Sequence, residues 1–387
     1  MNNAWKIGAT GFGLIAVCYG FARFAFGLFL PQMREALAVS ASLAGLISGG
    51  AFLAYCLAIV VSARWSERVG ARAVAVTAGL VAAVGMIGIA AAPSALWLAV
   101  FVIVAGTSTG LASPPMAAAV AHGVSPARRD TVNTWINAGT SAGVAVSGPV
   151  ALITSGQWRL VFVVFALVAL GLAITSFMTL PADGGASKTS RTNGLPRLSG
   201  NLIRLIGAAF LMGVASTTIW SFGGEIAAAR LGWSTRGIGL LWIAICVAGV
   251  SGAFAGALVA RFGINTVHRV FLALLAGSLA LVGVSATHSA MTLVGGALFG
   301  SAYVMLTGVY LVWGTTTLSQ RPATGLMIGF LTVAIGQTVG APIFGMLMQH
   351  WALAPAVWVF IGVALAPGVV GYRQPSCAGT RVVCPAG

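Results

Sequence analysis

Acidic residues are scarce in this 387-residue chain. It contains five aspartates and glutamates against twenty lysines and arginines, and charged residues make up 6% of it. Soluble domains contain roughly 25% charged residues, so the composition excludes a soluble globular domain. So few acids also leave little material for the paired carboxylates or metal clusters of many enzyme sites. We therefore predict a protein that is not an enzyme and that holds no cofactor and no metal.

Cysteine is equally rare and adds no site. Cys18, Cys56 and Cys246 lie in apolar segments, where a thiol is usually a small filler. Cys377 and Cys384 lie in the tail "RQPSCAGTRVVCPAG", and two thiols alone make a poor metal site. The chain also lacks a glycine-rich phosphate loop ending in Gly-Lys-Ser/Thr, which excludes ATP hydrolysis by this chain alone.

Long apolar runs dominate what is present. Hydrophobic residues make up 59% of the chain, in stretches that reach the roughly 17 to 25 residues needed to cross a bilayer. The first stretch is too long for a signal peptide, so we predict a permanent helix there. Twelve transmembrane helices are predicted at 8–31, 43–63, 71–92, 95–121, 131–155, 159–180, 202–224, 235–260, 268–288, 290–318, 324–348 and 353–372.

The net charge of +15 is spread over short loops and does not form a nucleic-acid surface. Most lysines and arginines fall on one side of the predicted spans, with Arg34, Arg159, Arg230 and Arg236 on the other. Basic loops favour the cytoplasmic side of a membrane. We therefore predict a multi-pass protein of the inner (plasma) membrane with both termini in the cytoplasm, surrounded by lipid and with no nucleic-acid partner.

The two halves of the chain are related by an internal repeat. The segment 181–201 is rich in Gly, Ser, Pro and basic residues and predicts a cytoplasmic linker. It separates two predicted six-helix bundles, 1–180 and 202–372, and a cytoplasmic tail follows at 373–387. An offset of about 193 residues superposes Arg68 on Arg261, Gly70 on Gly263, Gly143 on Gly336, Pro149 on Pro342, and Trp158 on Trp351.

The loops after spans two and eight carry a motif. The first loop contains Glu67, Arg68, Gly70 and Arg72, and the second keeps Arg261 and Gly263 but has Ala260 in the acidic place. This pattern resembles the hallmark loop of the major facilitator superfamily. The opening "YGFARFAFGLFLPQM" further looks like the YbfB/YjiJ-type branch of that family.

The resemblance implies a fold and a mode of action. It implies an all-α membrane protein of twelve helices in two pseudo-symmetric bundles, working as a secondary transporter by alternating access between the two sides. In the family the loop acts as a cytoplasmic latch, so the gating residues would be Glu67, Arg68, Gly70, Arg72, Arg261 and Gly263. The alternative is that Arg68 and Arg261 only mark the cytoplasmic side.

Arg23 interrupts the apolar stretch "CYGFARFAFGLFLP". An arginine at a helix centre costs about 2.5–3.5 kcal/mol, and its side chain leans toward the N-terminal end of the helix, here deeper into the bilayer. We therefore expect Arg23 to face the interior of the bundle, beside Tyr19 and Gly20. It either binds an anionic group of the substrate or is absorbed by hydrogen bonds to neighbouring helices.

Other polar and aromatic side chains are expected to line a pocket with Arg23. Each could instead form hydrogen bonds that only hold neighbouring helices together. A transporter of a small organic anion or zwitterion is the leading interpretation. An exporter of amphipathic compounds and a membrane-embedded enzyme are the alternatives. The predicted substrate-binding residues are Arg23, Tyr19, Asn137, Trp135, Trp220, Tyr303, Tyr310 and Gln337.

Energy coupling has one candidate residue. Glu225 is the acid best placed to titrate during transport with a co- or counter-transported ion, although it could simply mark a helix end. The four histidines, including His268, are predicted at the membrane interfaces. We expect the protein to act as a monomer.

Overall fold

The computed structural model describes residues 3–154, 157–181, 198–284 and 287–373. Most of the predicted linker and tail, including Cys377 and Cys384, lies outside the described residues. Within them the regular structure is entirely helical, as the composition predicts. We refer to residues 3–181 as the first half and to residues 198–373 as the second half.

The described helices follow one another with short connections. In the first half they are α1 (Asn3–Ile15), α2 (Ala25–Leu37), α3 (Ala41–Val69), α4 (Ala71–Ala90), α5 (Ala95–Gly123), α6 (Pro126–Thr154) and α7 (Trp158–Thr179). In the second half they are α8 (Gly200–Trp220), α9 (Gly223–Leu231), α10 (Thr235–Gly249), α11 (Ala255–Gly283), α12 (Ser289–Thr317), α13 (Pro322–Trp351) and α14 (Leu353–Leu365). A π-helical segment (Ala16–Phe24) joins α1 to α2, and 3-10 turns cover Val250–Phe254 and Ala366–Val369.

Eleven helical stretches in the described residues are long and apolar enough to cross a membrane. They correspond to the first eleven predicted spans. The twelfth, predicted at 353–372, is a shorter apolar helix, Leu353–Val369, and it does not reach the length of the others. Stretches of this number and length make the chain an integral membrane protein.

Glycine contacts at equivalent positions hold each half together. A Cβ atom on Gly143 would lie 2.0 Å from the carbonyl oxygen of Ala16, so α6 approaches the π segment at backbone distance. In the second half a Cβ on Gly336 would lie 2.1 Å from the carbonyl oxygen of Phe210, which brings α13 equally close to α8. Small residues are what permit such close packing of membrane helices. The pair of contacts follows the offset found in the sequence.

The two motif loops also share a backbone conformation. Gly70 has φ 88° and ψ 155°, and Gly263 has φ 77° and ψ 156°. Both values lie where side chains with a Cβ are disfavoured, which explains glycine at each position. Arg72 donates from Nε to the carbonyl of Leu180 at 2.7 Å and thereby ties the first loop to the end of α7.

The halves meet through α3 with α13, α6 with α10, and α2 with α9. A Cβ on Gly45 would lie 2.4 Å from the carbonyl oxygen of Ala341, and one on Gly49 would lie 2.7 Å from the ring of Pro342. These contacts involve the beginning of α3 and the later part of α13. The interface between the halves is therefore tight at that end of the molecule.

The π segment has a visible cause. The N–H of Ala25 bonds to the carbonyl of Gly20, five residues back, and the hydroxyl of Thr109 on α5 donates to the carbonyl of Cys18 at 2.9 Å. A neighbouring side chain that bonds to the backbone can reshape a helix in this way. Pro114 and Pro115, by contrast, do not break α5, which continues to Gly123.

Candidate substrate-binding site

Arg23 lies in the π segment and faces the second half of the chain. Its Nη2 donates to Oε1 of Gln337 on α13 at 3.1 Å. The side chain is half-buried, and its Nε is buried without a hydrogen-bond partner. In the part of the chain that the structure describes, no carboxylate lies within ion-pair distance of Arg23. The expected inward orientation is therefore observed, with an amide as the polar partner.

Four aromatic rings surround the guanidinium group. Its central carbon lies 4.4 Å from the ring centre of Tyr55, 4.6 Å from that of Phe52, 5.1 Å from that of Phe24 and 5.9 Å from that of Tyr19. Contacts between a cation and a ring face stabilise by about 0.5–2 kcal/mol each, depending on desolvation. The rings therefore lower the free-energy cost of the positive charge at this depth without neutralising it.

Gln337 connects Arg23 to the second half. Its amide oxygen accepts from Arg23, and its Nε2 donates to Oγ of Ser216 at 3.2 Å and to the hydroxyl of Tyr303 at 3.3 Å. Both N–H groups of the amide are therefore engaged, while the hydroxyl proton of Tyr303 is left for another acceptor. The residues assembled here, which we call the Arg23 cluster, are Arg23, Tyr19, Tyr55, Trp220, Tyr303 and Gln337.

Trp220 forms the aromatic wall of the Arg23 cluster. Its ring centre lies 4.4 Å from that of Phe24 and 5.4 Å from that of Tyr303. The indole Nε1 is buried and has no hydrogen-bond partner. Together with Nε of Arg23, this makes two buried donors that lack an acceptor. A buried polar group left unpaired costs about 1–3 kcal/mol, so the cluster favours a ligand rich in acceptors.

The remaining predicted binding residues lie elsewhere. Tyr310 is buried against His268, with its hydroxyl 3.2 Å from Nε2 of that ring, and it donates to the carbonyl of Ala208. His268, which the sequence predicts at an interface, lies near the start of the spanning stretch Ile264–Gly283 and is fully buried where α8, α11 and α12 pack together. Trp135 is 58% exposed and contacts Trp5 edge to face.

Asn137 is exposed on α6 and is not among the described hydrogen-bond or ring partners of Arg23 and Gln337. Its neighbours at intervals of four residues, Asn133 and Ser141, are half-buried on the same helix. A polar face of this kind is costly against lipid hydrocarbon. The sequence pattern of α6 thus gives a partly open polar stripe separate from the Arg23 cluster.

Gly20 does not leave room beside Arg23. A Cβ at Gly20 would lie 2.2 Å from the backbone of Gly143, so this glycine serves helix packing. The hydroxyl of Tyr19 shares a hydrogen bond of 2.9 Å with Ser113 on α5. Tyr19 is therefore held in place from the side opposite to Gln337.

Glu225 lies in the first turn of α9, beyond the end of the spanning stretch Gly200–Trp220. It forms an ion pair with Arg34 at the end of α2, so the pair joins the two halves. Burial raises the pKa of the Glu225 carboxyl, while the nearby Arg34 guanidinium acts to lower it. At the same end, Nε2 of Gln32 donates to Thr235 at 2.6 Å and the backbone N–H of Ser42 donates to Gln349 at 3.1 Å.

The predicted gating residues lie at the opposite end of the helices. Arg68 and Arg261 are exposed, and Arg261 stacks on Phe262 with 5.3 Å between the guanidinium carbon and the ring centre. Glu67 interacts with another group of the protein. Gly70, Arg72 and Gly263 have the loop roles described above.

Two members of the site were missed from sequence. Tyr55 and Phe52 lie in "AFLAYCLA", a stretch without charge that predicts only a lipid-compatible helix. A signal was available, because the chain has only five tyrosines. A polar hydroxyl in the middle of a span needs a partner, and three of those tyrosines belong to the Arg23 cluster.

Known proteins share this architecture. A family model described as Major Facilitator Superfamily matches residues 12–334. A variant of the nucleoside transporter NupG has a similar structure, with a TM-score of 0.79 at 11% sequence identity, covering 95% of this chain and 98% of that one. The xylose transporter XylE from E. coli, in an inward open conformation, gives a TM-score of 0.77 at 14% identity, with 97% and 98% covered.

A further similar structure is a bacterial homologue of the human lysosomal transporter Spinster, inward-facing and occupied, with a TM-score of 0.72 at 15% identity and 95% and 93% covered. No curated protein matches the sequence significantly. At these identities the structural likeness concerns the fold. The narrower YbfB/YjiJ-type branch is not confirmed by these matches.

Proposed function

The chain belongs to the major facilitator superfamily, and on that premise we propose that it moves a small organic anion or zwitterion across the membrane by alternating access. Family membership makes it a transporter and not an enzyme. The substrate, the mechanism and the site residues are our proposal. The observation that carries it is Arg23, a charge at membrane depth with unpaired donors beside it and, among the described residues, no acid within ion-pair distance.

We propose the two-bundle architecture as the framework of transport. The bundles comprise residues 1–180 and 202–372, with the linker 181–201 between them and twelve spans in all. The equivalent glycine contacts of Gly143 and Gly336, and the equal conformations of Gly70 and Gly263, support this division. The protein would reside in the inner membrane as a monomer with both termini and the 373–387 tail in the cytoplasm.

The contacts between the halves support an inward-facing state. Polar links and glycine packing join the halves at the end that contains Arg34 and Glu225. Toward the other end, Asn137 and Trp135 of α6 are exposed. In the proposed orientation the closed end is the outer one, and the polar face of α6 lines a path from the cytoplasm to the Arg23 cluster.

The chemistry of the Arg23 cluster favours a carboxylate-bearing substrate. Nε of Arg23, Nε1 of Trp220 and the hydroxyl of Tyr303 all offer donors, and a carboxylate accepts several hydrogen bonds at once. Charge-assisted hydrogen bonds of this kind are roughly twice as strong as neutral ones. The surrounding rings suit a compact apolar body attached to the anionic group. We propose that Tyr310, Trp135 and Asn137 do not contact the carboxylate directly. They serve helix packing or line the path from the cytoplasm to the Arg23 cluster.

Coupling to a proton is proposed at Glu225. Its ion pair with Arg34 links the halves; burial raises the pKa of the Glu225 carboxyl, and the Arg34 guanidinium acts to lower it. Protonation removes the charge that holds Arg34 and so weakens closure at this end. At the cytoplasmic end, Glu67, Arg68, Gly70, Arg72, Arg261 and Gly263 would form the gating loops, strongest in the first half because Ala260 carries no charge.

A thermal-stability screen tests the substrate class. The purified protein, the Arg23→Gln variant and an Arg64→Gln control, which removes an exposed arginine, are heated with small carboxylates, amino acids and lipophilic drugs. A ligand at one hundred times its Kd adds about 2.7 kcal/mol of apparent stability. We expect a carboxylate or amino acid to raise the Tm of the parent and of Arg64→Gln but not of Arg23→Gln. A carboxylate that stabilises all three equally would remove Arg23 from the binding site.

An exporter of amphipathic compounds is the second candidate. The aromatic rings of Phe24, Phe52, Tyr55 and Trp220 favour it, because they supply apolar contact area around the site. Stabilisation of the parent and of Arg23→Gln by lipophilic drugs alone would support this function. Loss of that effect in Trp220→Ala would then place the drug against the same wall.

A further inference from the structure

A basic cavity lies at the beginning of α8, at the opposite end of that helix from Trp220 of the Arg23 cluster. Its volume is about 430 Å³, and the charged residues in its lining are Arg204, Arg269 and Arg373. The lining contains no aspartate or glutamate. Three positive charges thus converge on one concave surface without an acid among them.

Two asparagines hold the chain segment that lines this cavity. Asn265 donates from Nδ2 to the carbonyl of Tyr372 at 3.0 Å and accepts from the N–H of the same residue at 2.7 Å. Asn201 does the same to Arg373, at 2.7 Å and 3.0 Å. Each side-chain amide therefore pairs with both backbone groups of one residue. The chain after α14 is fixed across the ends of α8 and α11, and Arg373 is held beside Arg204.

The arginines keep most of their hydrogen-bonding capacity. Arg269 uses Nε to bond the carbonyl of Gly368 at 3.1 Å, which leaves its two terminal nitrogens available. Across the described residues, the guanidinium groups of Arg204 and Arg373 make no hydrogen bond and no ion pair. Planar guanidinium groups bind phosphate oxygens in pairs. The cavity is thus equipped for an anion with several oxygens.

Apolar side chains adjoin the basic residues on the outer surface. Ile203, Val270 and Val369 are 56%, 51% and 88% exposed. Ile203 and Val270 directly neighbour Arg204 and Arg269 in sequence, and Val369 lines the cavity itself. A free phosphate ion gains nothing from contact with such an apolar surface, whereas the acyl chains of a lipid pack against it. Basic pockets between the ends of membrane helices are known to hold anionic headgroups.

We propose that this cavity binds the headgroup of an anionic phospholipid from the surrounding leaflet, with Arg204, Arg269 and Arg373 on the phosphate and the acyl chains along Ile203 and Val270. The site is independent of the transported substrate. It joins the start of α8 to the end of the second half, so lipid occupancy stabilises that corner of the molecule.

Native mass spectrometry of the detergent-purified protein tests the proposal. The parent, Arg204→Gln/Arg373→Gln and a matched Lys6→Gln/Arg64→Gln control are titrated with phosphatidylglycerol, phosphatidylcholine and inorganic phosphate. The control removes two exposed charges from the same end of the helices. In the part of the chain that the structure describes, neither Arg204 nor Arg373 has a side-chain hydrogen bond or ion pair to lose, so the variant should fold. Each basic residue near an anionic lipid contributes roughly a fivefold change in affinity, so the site variant should bind phosphatidylglycerol about 25-fold more weakly.

The outcomes separate the alternatives. Tight binding of phosphatidylglycerol by the parent and control, weaker binding by the site variant, and weak binding of phosphatidylcholine throughout would support the proposal. Equal affinity of all three proteins for phosphatidylglycerol would overturn it. Inorganic phosphate that displaces phosphatidylglycerol at comparable concentration would also overturn it, because the site would then bind the free ion.

Discussion

At the scale of single residues, Arg23 is stabilised without an ion pair to any carboxylate that the structure describes. Aromatic rings surround the guanidinium group, and one amide oxygen accepts a hydrogen bond from it. Its buried Nε has no hydrogen-bond partner among the described residues. A buried salt bridge would have cancelled the charge and closed the site to anions. The use of Gln337 in place of an acid therefore keeps a positive potential available to a ligand.

The substitution Gln337→Glu should reverse this arrangement. The new carboxylate would sit 3.1 Å from Nη2 of Arg23, where the amide oxygen lies now, and form an ion pair. A hydrogen bond to a charged group stabilises by about 1.5–3 kcal/mol, so we expect a higher Tm and the loss of carboxylate binding. The Tm and the ligand-induced Tm shift measure the two effects.

Gln349→Glu provides the matched control on the same helix. Gln349 also joins the halves, but it accepts from the backbone N–H of Ser42 and, within the described residues, makes no hydrogen bond to an arginine. Its replacement should leave carboxylate binding unchanged. If both variants lose binding equally, a general effect of negative charge on α13 is responsible and the Arg23 pair is not.

The site was predictable from sequence only where a residue was unusual for its surroundings. Arg23, Gln337 and Tyr303 stand out because polar groups are costly in a span. Tyr310 stands out for the same reason, yet it bonds to His268 instead. Spacing along one helix does not say which neighbouring helix a side chain meets, and that is decided by packing.

At the scale of helices, the π segment is the element that no local pattern predicts. The residues Ala16–Phe24 fit an ordinary apolar helix, and the distortion arises from contacts with other helices. Thr109 on α5 bonds to the carbonyl of Cys18, and Gly143 on α6 touches the backbone of Ala16. Apolar runs predict where the spans lie, whereas the shape inside a span depends on neighbours distant in sequence.

Gly143→Ala tests the close approach of α6 to the π segment. The added Cβ would lie 2.0 Å from the carbonyl oxygen of Ala16, and neither backbone can move without disturbing the other. Overpacking of this kind costs about 1–3 kcal/mol, so we expect a lower Tm. Displacement of the π segment should also weaken the binding of any ligand that depends on Arg23.

Gly171→Ala is the control for this substitution. A Cβ at Gly171 on α7 meets nothing within 4 Å, and alanine is the better helix former by about 1 kcal/mol. Its Tm should therefore stay equal or rise. A fall in Tm as large as that of Gly143→Ala would show that the loss comes from removing glycine flexibility and not from a collision.

At the scale of the whole molecule, the halves are joined mainly through one end. Arg34 pairs with Glu225, Gln32 bonds to Thr235, and the start of α3 packs on α13. These links must open if the site is to become accessible from that end. The side chains of Arg34 and Glu225 are still 25% and 17% exposed, and ion pairs in contact with water contribute about 0–1 kcal/mol, which suits a contact that forms and breaks in the proposed cycle.

Arg34→Gln should shift the protein toward an arrangement open at this end. Spin labels on the exposed positions Ala36 and Arg236, one in each half, report the separation by double electron–electron resonance. The parent should give one short distance, and the variant should add a population at longer distance. Loss of a contact worth about 1 kcal/mol changes the ratio of states roughly fivefold.

Arg159→Gln is the matched arginine variant. Arg159 donates to the carbonyl of Ala90 at 2.7 Å, a contact that lies wholly within the first half. Its removal should lower the Tm without changing the distance distribution. An unchanged distribution in Arg34→Gln as well would mean that the ion pair has no part in closing this end.

The asparagine pairs near Tyr372 have a consequence for how the chain is assembled during synthesis. α14 is the shortest of the apolar stretches and the last to leave the ribosome among the described helices. By then Asn201 and Asn265 already lie in membrane-inserted helices, ready to accept and donate to the backbone that follows α14. Hydrogen bonds to Asn201 and Asn265 therefore add to the hydrophobic length of this short helix in holding it within the second half.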